Sequence, residues 1–170
     1  DAKTIALLID DPKQITKQQA EKQVEELEAG MLSHVFSSCD ATLAKSPLAF
    51  ELANEWTQSN HEMRRRCGYG LLYELSKNKR NKALTDEYFL ACIEDINSKI
   101  FDIANSPSLN LAMGSALMGI GKRNKVLNQR AVEVATKVGP IDFNENGGQC
   151  EPMNILKHLQ SDYLKKKFAD

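Results

Sequence analysis

The chain has 170 residues, 42% of them apolar and 26% charged, which is enough for a real core and far from the composition of a disordered segment. Its formal net charge is −1. Bulk positive charge is therefore excluded as a way of holding a polyanion, and any such role must rest on local clustering.

No apolar run reaches the about 20 residues that a membrane helix needs. No signal peptide is evident, so a cytoplasmic protein is expected. Cys39, Cys67, Cys92 and Cys150 are scattered and form no C-x-x-C pair. That is poor spacing for zinc or for a disulfide framework, and reduced thiols are expected. His61 and His158 lie too far from His34 for a metal site. No metal and no cofactor are anticipated.

Helix signals dominate the chain. Thr16-Lys17-Gln18-Gln19 is a capping box, and its helix should run to about Ala29. Gly30 allows a break before a helix at 31–44. Ser46-Pro47 pairs an N-cap with proline at the first helical position, for a helix to about Gln58. Ser59-Asn60-His61-Glu62 is a second capping box, opening a helix to about Lys77. Thr85 caps a helix ending near Ile100, and Ser106-Pro107 starts one ending near Lys122. A helix at 125–138 stops at Gly139-Pro140, where a left-handed cap belongs. Residues 140–151 read as a loop, and a last helix covers about 153–168. No segment alternates as a strand would.

Shifting the chain by about 45 residues, a period of HEAT-like repeats, lays Gly70 on Ser115, Leu72 on Leu117, Leu75 on Ile120 and Lys77 on Lys122. Units of this kind cannot bury their apolar faces alone and must stack. The expected fold is all-α: a single domain over 1–170, built as a right-handed HEAT-like solenoid, an α–α superhelix of stacked antiparallel helix pairs. The start at Asp1 leaves room for a further repeat upstream.

The repeat also organises charge. Lys77, Lys79, Arg80 and Lys82 follow one repeated helix, and Lys122, Arg123 and Lys125 follow the other. If the copies stack, these helix ends share a rim able to hold a phosphate backbone. The bland alternative is that cations favour helix C-termini. Arg64-Arg65-Arg66 lies near a helix start, where the dipole disfavours cations. Arg66, with Gly68 and Gly70 leaving space beside it, is the position expected to meet a phosphate. Its alternative is a surface ion pair with Glu55 or Glu62.

Gly119-Ile120-Gly121-Lys122-Arg123-Asn124, followed by Leu127-Asn128 and Ala131, resembles the AlkD-like DNA alkylation repair family. So do Glu62 through Tyr69, Asp10-Asp11-Pro12 with Ile15-Thr16, and the closing loop from Gly139 to Cys150. The resemblance implies a HEAT-like solenoid that grips duplex DNA and excises cationic alkylated purines. The family's site is usually two tryptophans, an aspartate and an arginine. Aromatic faces attract the cationic base, the carboxylate stabilises the developing oxocarbenium, and the arginine holds phosphate.

Carried across, the arginine is Arg66 and the second tryptophan falls on Ser115. The first tryptophan and the aspartate belong within Ala29–Ser38, which has neither. Asp40 is the nearest carboxylate, and His34 is the other candidate for acid–base chemistry. Trp56, the only tryptophan, sits among Phe50, Leu52 and Ala53 and reads as core.

Two functions follow. One is a monomeric protein, bacterial and nucleoid-associated, that binds alkylated duplex DNA through a concave basic groove and hydrolyses the N-glycosidic bond. It would use Arg64, Arg65, Arg66, Lys77, Lys79, Arg80, Ser115, Lys122, Arg123 and Lys125 for DNA. The other is a catalytically silent HEAT-repeat protein that binds DNA or a protein partner.

Overall fold

The computed structural model describes residues 2–27, 30–38, 42–144 and 149–169. Eleven helices make up the described residues: α1 (Ala2–Ile9), α2 (Lys17–Glu25), α3 (Gly30–Ser37), α4 (Thr42–Lys45), α5 (Ala49–Thr57), α6 (Glu62–Lys77), α7 (Asp86–Lys99), α8 (Pro107–Gly121), α9 (Lys125–Val138), α10 (Ile155–Leu159) and α11 (Asp162–Lys167). Their only β-type pairing is an isolated bridge between Ile141 and Met153. No described helix is long and apolar enough to cross a membrane.

Three of the predicted start signals act as caps, whereas Ser59 takes the His61 amide in a turn ahead of α6, which begins at Glu62. The Thr16 hydroxyl accepts from the Gln19 amide, and the Gln19 side chain answers as a capping box. Thr85 and Ser106 accept from the amides of Tyr88 and Leu109. Gly139 ends α9 at φ 70°, a left-handed value that glycine adopts without strain.

Four boundaries differ from expectation, the first being α2, which ends at Glu25 and not near Ala29. The expected helix at 31–44 is two elements, α3 and α4. α5 begins two residues beyond Pro47, because Ser46 closes a turn first: its hydroxyl takes the Leu48 amide and its carbonyl the Ala49 amide. The expected last helix is also two, with Asn154 capping α10 and Ser161 at the start of α11. α1 was not expected at all.

The chain divides into two compact units, residues 1–75 and 76–170. In the first, α1 packs on α3 and α4, and α4 meets α5. Trp56 is 2% exposed, stacks on Phe36 and donates from Nε1 to Glu21 at 2.8 Å, so it is a core residue as expected. Gly68 and Gly70 leave no open space beside Arg66. A Cβ on Gly68 would lie 2.7 Å from the Thr57 backbone nitrogen and 2.9 Å from the Trp56 carbonyl carbon, and one on Gly70 would collide with the Ser37 hydroxyl. These glycines let α6 approach its neighbours closely. Gly68→Val should lower stability by about 2–3 kcal/mol, read as a shift in denaturant midpoint, because backbone atoms cannot step aside. Gly114→Ala should cost less, since its neighbours are the side-chain ends of Ile141, Met153 and Ile155.

In the second unit, α8 packs on α7, α9 and α10, and α9 on α7 and α10. Phe89, Ile93, Ile96, Leu117, Ile120 and Leu127 fill its core. Burial pushes the Cys67 thiol of the first unit up to about 12 and the Cys92 thiol of the second up to about 11, which leaves both protonated near neutral pH.

Candidate nucleic-acid interface

α6 and α8 start and end about 45 residues apart, the period read from the sequence. The turns that follow them are joined by one side chain. Arg123, just past α8, sends Nη1 to the carbonyls of Ser76 (2.5 Å) and Asn78 (2.9 Å) and Nη2 to that of Leu84 (3.4 Å). Its guanidinium carbon lies 4.3 Å from the Phe89 ring centroid. The last carbonyls of a helix lack partners within it. Arg123 supplies them for the end of α6, with the fork geometry that a guanidinium alone offers. Burial pulls its pKa below the ordinary arginine value, and the nearby Asp86 opposes that shift.

Local bonds add to this hold on the turn. The Asn78 side chain accepts from the amides of Arg80 and Asn81, and the Asn81 side chain from that of Ala83, both local Asx-type bonds. Asn124 caps α9 through the Leu127 amide and donates to both carboxylate oxygens of Asp86, at 2.8 and 3.0 Å. Gly121 lets Leu159 and Ala131 close on α8. The Gly-Lys-Arg-Asn block is thus a fastener between two basic turns.

Lys122 shows how close those turns are. Burial, and then the charge of Lys77, hold its ammonium below the usual lysine value. Lys79, Arg80, Lys82 and Lys125 are exposed, and among the described residues none has an ion-pair partner. Across 76–87 and 122–125 there are seven basic residues against Asp86 and Glu87, in a chain of net charge −1.

Sequence reasoning missed a third basic element at this corner. Lys167, in α11, donates from Nζ to the Lys122 carbonyl at 3.0 Å, capping the end of α8. Lys165 and Lys166 beside it are exposed. The run of three lysines was the available signal.

The other expected site residues are placed as follows. Arg64, Arg65 and Arg66 belong to the first unit, and all are half-buried. Arg64 pairs with Glu21 at 2.7 Å and Glu25 at 2.6 Å, so its charge is engaged within the protein. Arg65 has a buried Nε with no hydrogen-bond partner. Among the described residues Arg66 has no ion pair with Glu55, whose carboxylate instead takes Lys17 at 2.6 Å. His34 is exposed on α3. Ser115 is half-buried, with its hydroxyl 3.9 Å from the Met153 sulfur. Asp40 lies outside the described residues. No group of three or more metal-ligating side chains occurs among the described residues.

A comparison with curated proteins finds no match. Among solved structures, the chain is similar to one described as a new family of proteins related to the HEAT-like repeat DNA glycosylases, with affinity for branched DNA structures. The TM-score is 0.82 at 22% identity, over 99% of this chain and 70% of that one. The likeness shows the all-α, HEAT-like repeat fold that the internal repeat had indicated. The model of the DNA alkylation repair enzyme family matches residues 2–146, most of the chain, and the protein therefore belongs to that DNA-repair family.

Proposed function

We propose that this protein binds DNA through phosphate contacts from the cationic corner of its second unit, and that it does not excise alkylated purines by the aromatic–carboxylate chemistry the resemblance implies. The observation that carries this reading is the Arg123 fastening, which holds two basic turns together while Lys79, Arg80, Lys82 and Lys125 stay exposed. Phosphates recover Coulomb energy there and release condensed counterions. Rigid presentation lowers the ordering cost of binding.

Two observations favour binding over excision. Trp56 is sealed in the core, and the position to which the resemblance assigns the second tryptophan is a serine, Ser115. The solved structure to which this chain is similar is described as having affinity for branched DNA, and we extend that preference to this protein. A corner that reads only phosphates recognises the spacing of strands and carries no base sequence information. In this reading the protein acts as a monomer without metal or cofactor.

Fluorescence anisotropy with a four-way junction and a duplex of equal length tests the proposal, alongside release of N7-methylguanine from a treated oligonucleotide. The expected result is tighter, salt-dependent binding of the junction and no base release. Base release abolished by Asp40→Asn would overturn the non-excising reading, and absence of binding at low salt would overturn the DNA reading.

A further inference from the structure

We infer that Lys165 and Lys166 of α11 extend the phosphate-binding surface beyond the part of the chain shared with the family. The inference rests on the DNA-binding reading above. The family match ends at residue 146, so α11 (Asp162–Lys167) lies outside it.

What places α11 at the corner is a specific contact. The Nζ of Lys167 donates to the Lys122 carbonyl at 3.0 Å, and Lys122 is the residue whose ammonium senses Lys77. The end of α11 is therefore continuous with the two basic turns. Lys167 has a structural explanation, since it satisfies a carbonyl left over at the end of α8. Its two neighbours do not share it. They sit about 100° and 200° around the helix from Lys167, remain exposed, and have no ion-pair partner among the described residues. Lysines also suit the negative end of their own short helix, but that interaction is screened at the surface and does not call for a contact that anchors α11 to Lys122. Two cations beside an established cationic corner, with Asp162 the one acid in the helix, present the chemistry of a further phosphate contact.

The test is a salt titration of DNA binding by the intact chain and by the K165Q/K166Q variant. Each phosphate contact adds about 0.9 to the slope of log affinity against log salt. The variant should lose about 1.8 in slope and about tenfold or more in affinity at about 0.1 M salt, with an unchanged melting temperature because both side chains are exposed. An unchanged slope in the variant, with the parent chain binding normally, overturns this inference and leaves the corner itself intact. A parent chain that shows no salt-dependent binding overturns the corner and this inference together.

Discussion

Arg123→Ala should destabilise the protein by about 2–3 kcal/mol and weaken DNA binding about tenfold, while leaving the salt slope nearly unchanged. The stability loss comes from three carbonyls that lose a charged donor and from the lost contact with the Phe89 face. The binding loss comes from freeing the 77–84 turn, so that Lys79, Arg80 and Lys82 must be ordered again when DNA arrives. The slope separates positioning from contact: were Arg123 itself a phosphate ligand, the slope would fall by about 0.9. Arg123→Lys should behave like the alanine variant, because one ammonium cannot bridge the carbonyls of Ser76, Asn78 and Leu84. Full recovery with lysine would show that charge alone matters at this position. Thermal melts and an anisotropy series at several salt concentrations give both readouts.

The features that proved legible in the sequence are those decided within one or two turns. Thr16, Thr85 and Ser106 cap where they were expected to because a hydroxyl three residues before an amide is a local geometry. Gly139 stops α9 for an equally local reason. The repeat between α6 and α8 was visible because both copies keep the small residues and leucines that packing demands, at one period. α1 was missed because it is only eight residues long and is held by packing on α3 and α4, which local sequence does not show. The breaks within 31–44 and 153–168 were missed because apolar spacing continued across them.

The site was legible as composition and not as role. The basic turns were named correctly as neighbours, but Arg123 read as one more cation, since its partners Ser76, Asn78 and Leu84 are 39–47 positions away. Arg64 gave no sign of its acids Glu21 and Glu25 for the same reason. Gly68 and Gly70 suggested room for a ligand, whereas the volume that they leave is occupied by α5 backbone and by Ser37 and Ser38. Small residues on a helix mark a close approach without saying what approaches. Lys165 and Lys166 acquire meaning only through the bond that Lys167 makes to Lys122.

If exposed cations of the second unit hold the DNA phosphates, removing four of them together must weaken binding and flatten its salt dependence. The Lys79→Gln, Arg80→Gln, Lys82→Gln, Lys125→Gln quadruple variant removes charges that are exposed and make no ion pair among the described residues, so its melting temperature should match that of the parent. Its salt slope for junction DNA should fall by about 3.6, and its affinity at about 0.1 M salt by at least about a hundredfold. A folded quadruple variant that binds DNA with the parent's slope and affinity would place the DNA contacts elsewhere on the molecule.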